Sequence, residues 1–313
     1  MNRILVTGGA GFIGSALAEK LISNKDNYVV IVDNLSTGHI KKLPQLPKDN
    51  WRFIKADVNN YREMLPIMTT YQFDYVFHFA AVVGVLRTQE HPVQVLDDIN
   101  GIKNILSLSK CTTVKRVFFS SSSEIYGDPA EFPQNVYTTP LNSRLPYAIV
   151  KNVGEAFMRS YKQEFDLDYT IFRFFNTYGP KQSRDFVMSK FMLAAMQNRD
   201  ITIYGDGMQT RTFCYIDDNI DTCLTAFYEN KVVNQVINIG GNREITIKEL
   251  AEIIVRLTNS KSKIIYVDPL KEGDMRRRKP DNSDMKALLG RELIKVEEGI
   301  QKILEKGLFE QNL

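Results

Sequence analysis

The sequence predicts an α/β protein: a doubly wound parallel sheet followed by a smaller mixed α/β region. Three observations predict it. Short apolar runs alternate with stretches of helical spacing through the first half of the chain. A glycine-rich turn joins the first apolar run to the first helical stretch. After about Phe175 the rhythm changes and the runs shorten. Apolar runs without polar alternation are what strands covered on both faces look like, and the helices between them are the crossovers that parallel strands require.

Taken in order, residues 3–6 read as a short buried strand, and Phe12, Ile13, Ala16, Leu17 and Leu21 form one apolar helix face. Further strands read at 28–32, ending at Asp33; at 51–55, ending near Asp57; and at 75–80, 116–120 and 169–175. Helical spacing fills most of the gaps, for example 99–111 and 146–165. In the later region strands read near 201–204 and 236–239, with helices near 187–198, 217–229, 246–258 and 297–306. The expected organisation is a first domain over 1–175 and a second over 176–313, with the chain free to cross back.

Composition excludes several classes. A net charge of +3 is too small to point to nucleic acid. No segment approaches the ~20 apolar residues of a membrane span. Arg3 is followed by only three apolar residues before Thr7, unlike a signal peptide. Cys111, Cys214 and Cys223 are too sparse for a disulfide framework, and a cytoplasmic location is expected. His39, His78 and His91 are scattered, so no metal site is expected.

The turn Thr7 to Gly14 reads TGGAGFIG and satisfies G-x-G-x-x-G between a strand and a helix. Gly9, Gly11 and Gly14 suit a tight turn, close approach of backbone to a pyrophosphate, and helix-to-strand packing, with Gly8 beside them as a further cofactor-binding candidate. The helix that opens with Phe12 and Ile13 offers unpaired N–H groups and a positive dipole end to phosphate. Asp33 lies about 20 residues further on, where a carboxylate accepts hydrogen bonds from ribose hydroxyls and repels a 2′-phosphate. The expected cofactor is therefore NAD, on a Rossmann-type sheet. Tyr147 and Lys151 are four apart at the start of a helix, so they share a face. An ammonium there would lower the phenol pKa and let Tyr147 take a hydroxyl proton. Ser120 to Ser123 follow an apolar strand at the end where ligands of such sheets bind, and Glu124 comes next.

These motifs together resemble the extended short-chain dehydrogenases/reductases, the NAD-dependent nucleotide-sugar epimerases, dehydratases and decarboxylases. The resemblance covers nearly the whole chain. It implies that Asp57 and Val58 meet adenine, with Asn34 beside Asp33, and that His78 to Ala81, including Ala80 and Ala81, line the cofactor. It makes Ser122, Tyr147 and Lys151 the catalytic set for oxidation at C4. It assigns Asn176, in the stretch Arg173 to Pro180, to the substrate diphosphate. Arg211 and Arg276 are further phosphate candidates, because guanidinium groups bind phosphate bidentately. The resemblance also implies a homodimer built through the helices at 99–111 and 146–165.

Glu124 bears on the second half of the reaction. The resemblance implies a small or hydroxyl side chain there in 4-epimerases and an Asp-Glu pair in 4,6-dehydratases. Ser123 to Pro129 instead resembles the nucleotide-uronate decarboxylases, as does Arg278-Lys-Pro, whose arginine acts near the carboxylate. The favoured outcome is decarboxylation of a nucleotide uronate of the UDP-glucuronate type. The alternatives are a 4-epimerase, suggested by residues 82–88, and a 4-dehydrogenase that releases the 4-keto sugar. Asp98 departs from the family, many of whose members carry Asn there. A non-catalytic NAD sensor is disfavoured because Tyr147, Lys151 and the serine run are all present.

Overall fold

The computed structural model describes residues 1–47, 49–84, 88, 90–128, 130–269 and 275–308. The chain forms two compact units. The first comprises 1–125, 143–173 and 223–237; the second comprises 126–142, 174–222 and 238–313.

The first unit is built on a sheet whose strands are β1 (Asn2–Thr7), β2 (Asn27–Asp33), β3 (Trp51–Lys55), β4 (Tyr75–His78), β5 (Arg116–Ser122), β6 (Asp168–Phe174) and β11 (Gln235–Ile239). Their spatial order is β3-β2-β1-β4-β5-β6-β11, and the pairs from β3 to β5 are parallel. The doubly wound class expected from the sequence is the one observed. The order reverses between β1 and β4, so the ends of these two strands form the switch point where such sheets bind ligands. β11, expected within the smaller region, is instead the edge strand beside β6.

Period-two alternation covers both faces of the sheet. Val76, Val117 and Phe119 share one core with Met64 and Met68 of α2 (Tyr61–Tyr71), Ile102 and Ile105 of α4 (Asp98–Lys110), and Val150 and Met158 of α5 (Pro146–Phe165). The short helix α3 (Pro92–Leu96) precedes α4. On the other face Phe77 stacks on Phe118 at 4.3 Å between centroids. Phe227, near the end of α7 (Ile216–Tyr228), meets both rings edge-on. The strand expected over 75–80 stops at His78: the Phe79 N–H makes the last ladder bond to β1, and the Ala80 N–H turns instead to a side chain, the Thr7 hydroxyl. Phe79 donates to the Thr7 carbonyl at 3.2 Å, and Ala80 donates to Thr7 Oγ1 at 3.3 Å.

The second unit contains α6 (Val187–Met196), β8 (Ile201–Tyr204) and α8 (Ile247–Leu257), with β8 paired to β13 (Ile264–Val267). β9 (Thr210–Thr212) pairs antiparallel with β12 (Glu244–Thr246), and β7 (Thr177–Tyr178) pairs with β10 (Cys214–Tyr215). Helices α9 (Ser283–Leu289) and α10 (Val296–Lys306) complete the unit. Among the described residues no helix is long and apolar enough to cross a membrane.

Candidate active site

At the end of β1 the glycines close a cradle that admits no side chain. Gly8 has φ +70°, and a Cβ there would stand 2.7 Å from Ala80 N. A Cβ on Gly14 would stand 2.3 Å from the Gly8 carbonyl oxygen, which accepts the Gly11 N–H at 3.0 Å. The left-handed residue is thus Gly8. Gly9 is spent on packing, its absent Cβ lying 2.5 Å from Ile31 Cγ2. Helix α1 (Phe12–Ser23) is preceded by Gly11 at its N-cap, which provides no side-chain cap, so the first N–H groups, at Phe12, Ile13 and Gly14, are left for an anion to satisfy.

Asp33 ends β2 beside this cradle. Its carboxylate accepts the Ala10 N–H at 3.0 Å and the Leu35 N–H at 2.8 Å. Burial raises its pKa, while those two donors and the charge of Lys42 pull it back. A Cβ on Gly38 would stand 2.7 Å from Asp33 Oδ1. Asn34 donates to Asp57 at 3.1 Å, and Asp57 also accepts the Asn59 N–H at 2.8 Å. Val58 is buried, its carbonyl accepting Asn104 Nδ2 at 2.9 Å. Ala80 and Ala81, both partly buried, follow β4. The cradle and the carboxylate at its rim suit a dinucleotide: backbone donors lie at the turn, and a hydroxyl acceptor lies at the end of the next strand.

The serines that end β5 converge on α5: the strand, expected over 116–120, runs on through Ser122. Lys151 is 3% exposed and donates to Ser120 Oγ at 3.3 Å. Its Nζ lies 5.0 Å from the Phe119 ring centre and 5.7 Å from that of Tyr147. Ser122 hydrogen-bonds the Tyr147 phenol and accepts the Glu124 N–H at 3.2 Å. Ser121 serves a separate purpose. It donates to Glu155 at 2.7 Å, and Glu155 also receives Arg173 through two bonds of 2.8 Å. Burial alone would raise the Glu155 carboxyl, but Arg173, Ser121 and Arg159 overcome it and hold the carboxyl below its ordinary range.

The electrostatics differ from the sequence expectation. The Tyr147 phenol is raised, not lowered: burial dominates, the Ser122 bond opposes it, and the charges of Glu124 and Asp98 add to it. Lys151 shows the matching effect. Burial pushes its ammonium down to about 8, and Asp98 resists. His78 is buried and pushed down to about 3, so it is neutral. Thr7 Oγ1 accepts the Phe79 and Ala80 N–H groups, which leaves its own hydrogen for His78 Nδ1 at 2.9 Å.

In the second unit Asn176 adopts φ +31° and spends its amide on the Thr212 carbonyl at 3.1 Å. Arg211, on β9, is buried and donates to the Thr210 carbonyl at 2.7 Å. The segment carrying the arginine run is stitched to β9, because Thr210 N–H donates to the Arg276 carbonyl at 2.9 Å. Arg276 is exposed and Arg278 buried, so Arg211, Arg276 and Arg278 belong to one region. Arg277 forms a forked pair with Glu244, at 2.6 and 2.9 Å, and its guanidinium lies over Phe132. Residues 85–87 of the 82–88 segment, Pro129, and 271–274 ahead of the arginine run lie outside the described residues.

Sequence reasoning passed over Thr7, Glu155 and Lys42. Glu155 had a signal: it continues the four-residue spacing of Tyr147 and Lys151 along one helix face. Thr7 stood at the head of the glycine motif, but its bonds to His78, Phe79 and Ala80 depend on which strand ends meet; Lys42, in the single turn 40–42, had no signal.

Residues 4–240 match the NAD dependent epimerase/dehydratase family. The chain belongs to that family. Among curated relatives, UDP-N-acetyl-alpha-D-glucosaminuronate decarboxylase of Bacillus cytotoxicus is 36% identical over 92% of this chain and 91% of its own. UDP-glucuronic acid decarboxylase 3 of Arabidopsis thaliana is 35% identical over 95% of this chain and 86% of its own. The crystal structure of UDP-glucose 4-epimerase with UDP-glucose from Thermotoga maritima superposes with a TM-score of 0.91. It is 32% identical and covers 99% of both chains. Membership makes the protein an NAD-dependent enzyme of the extended short-chain dehydrogenase/reductase type.

Proposed function

We propose that the chain oxidises a nucleoside-diphosphate sugar at C4 and then removes CO2 from the C5 carboxylate, with a uronate of the UDP-glucuronate type as substrate. The observation that carries this reading is the Glu124 carboxylate, whose charge acts on the Tyr147 phenol two residues beyond Ser122. Epimerisation needs only rotation of a ketone and has no use for an added acid. The two decarboxylase relatives support the same outcome.

NAD, when bound, supplies a reversible hydride acceptor for C4. Gly8, Gly11 and Gly14 hold its phosphates, Asp33 its ribose, and Asp57 with Val58 its adenine. Burial holds the Tyr147 phenol up and Ser122 opposes it. Beside the Lys151 ammonium and the positive nicotinamide ring of bound NAD, the phenol is drawn further toward phenolate, so Tyr147 Oη takes the C4 hydroxyl proton while Ser122 Oγ hydrogen-bonds the same sugar oxygen. The ketone is β to the carboxylate, so the C5–carboxyl bond breaks with its electron pair passing to an enolate on O4. Ser122 and Tyr147 stabilise that oxygen, Glu124 delivers the proton that C5 then requires, and Tyr147 gives its proton back to O4 as C4 regains its hydride, so the turnover is redox-neutral. Arg278 recognises the departing carboxylate, and Asn176, Arg211 and Arg276 hold the diphosphate. We take the enzyme to be a cytoplasmic homodimer paired through α4 and α5.

Mass spectrometry of products from UDP-glucuronate, UDP-N-acetylglucosaminuronate and the neutral UDP-, GDP- and dTDP-sugars tests the reading. Loss of CO2 from a uronate is expected, and Glu124→Gln should stop product release after C4 oxidation. Turnover of neutral sugars without mass change would replace this reading with a 4-epimerase, which the Thermotoga maritima likeness favours.

A further inference from the structure

We propose that Gln134 is a positioning residue for Arg278: its side-chain amide holds the peptide that joins Arg278 to Lys279 and so fixes the direction from which the Arg278 guanidinium meets the substrate carboxylate. The proposal rests on Arg278 being the carboxylate-recognising residue of the proposed reaction. Both residues belong to the second unit. Arg278 is 5% exposed and stands between two fixed points of the chain. On one side Arg277 bridges Thr210 of β9 and forks onto Glu244. On the other Pro280 bridges Gln134, whose N–H donates to the Lys279 carbonyl at 2.7 Å and whose carbonyl accepts the Asp281 N–H at 2.8 Å.

The bridge at Pro280 is isolated, so no second backbone rung takes the Lys279 N–H. The Gln134 side chain takes it instead, accepting it on Oε1 at 3.2 Å. That N–H lies in the peptide plane between Arg278 and Lys279, and the tilt of a rigid peptide plane is the ψ angle of the residue before it. Backbone angles in turn limit the rotamers open to the side chain, so holding the plane holds Arg278. Gln134 is itself held firmly. It is fully buried, and its carbonyl also accepts Asn238 Nδ2 at 2.8 Å. Asn238 is buried too; it accepts the Tyr126 hydroxyl at 2.8 Å and donates to the Asp281 carbonyl at 3.2 Å. Asn135 adds a bond to Asp281 Oδ2 at 3.0 Å. The Lys279 N–H also settles which way the Gln134 amide faces, because the reverse would set donor against donor. Nε2 is then buried without an acceptor among the described residues. Gln134→Met therefore removes one bond together with one unpartnered donor, and leaves the backbone bonds of the segment in place.

The test uses the full chain with NAD bound, in a Tyr147→Phe background so that ligands are not turned over. Calorimetry gives dissociation constants for UDP-glucuronate and UDP-glucose, which differ only at C6. In that background the uronate should bind more tightly. Adding Gln134→Met should erode the preference by about three- to tenfold, the effect of one lost hydrogen bond, while UDP-glucose affinity stays the same. Gln134→Asn, whose amide falls one carbon short of Lys279, is the second variant and carries the test if Gln134→Met does not fold. A folded variant that keeps the full preference, or that weakens both ligands equally, overturns the proposal and leaves Gln134 as a strut of the fold. Arg278→Ala separates that outcome from failure of the reading beneath it. A preference that survives Arg278→Ala, or that is absent at the outset, overturns the assignment of Arg278 and the proposal with it.

Discussion

Lys151 in the first unit is buried with its ammonium on a serine hydroxyl, whereas Arg276 in the second unit is exposed and meets β9 through its backbone carbonyl. Both are cations assigned to the same reaction. The difference follows the task. A group that tunes proton transfer must have a fixed charge in a weakly screened setting, so it is buried and its pKa moves. A group that recognises a diphosphate can stay in water until the ligand arrives, and it loses little by waiting. Arg277, between the phosphate candidate Arg276 and the carboxylate candidate Arg278 in sequence, shows a third use of the same side chain: it is locked to Glu244 and belongs to the scaffold.

Substitutions should separate these regimes. The largest effect is expected from Tyr147→Phe, which removes the proton acceptor and should lower kcat by about 10²–10⁴-fold. NAD affinity, followed by equilibrium fluorescence, should be unchanged; wild-type turnover in this variant would end the acid–base assignment. Glu155→Gln comes next. It leaves Arg173 buried against a neutral partner and should cost about 3–5 kcal/mol in denaturant unfolding. The sign with pH is fixed by the lowered folded pKa of Glu155. Its contribution is present above the unfolded carboxyl pKa and fades as pH falls through the folded value, so the two proteins should converge in stability only in acid. Equal stability at neutral pH would make the buried pair irrelevant. Asp33→Ala should improve NADP use relative to NAD by about tenfold, read from paired kcat/KM measurements. An unchanged ratio would count against the ribose assignment. The smallest change belongs to Arg276→Ala: KM for the nucleotide sugar should rise about two- to fivefold with kcat held, and the difference should shrink at high salt. A large kcat loss there would blur the contrast between the two regions.

The parallel strands were legible because strands covered on both faces have apolar runs, and the reading of 51–55 coincides with β3. Strand ends were less legible. β4 stops early because the Thr7 hydroxyl captures the Ala80 N–H, an event set by a residue 73 positions away. The pairing of Tyr147 with Lys151 on one face was visible in their spacing, since i and i+4 coincide on any helix. The direction of the Tyr147 shift was not, because it depends on burial and on carboxylates from two other segments, Asp98 and Glu124. Asn176 teaches the same lesson from the second unit: a motif places it, but only the fold reveals that its amide is already engaged by Thr212.

Gly38 carries a consequence for how this enzyme could be altered. A methyl group there would stand 2.7 Å from one oxygen of Asp33 and 2.9 Å from the other, so any larger residue must displace the carboxylate. On the proposed ribose role of Asp33, dinucleotide choice is encoded at two positions five apart, only one of which bears a functional group. Drift or directed evolution can retune it through the silent partner, leaving Asp33 intact in the sequence while its side chain no longer occupies the same place.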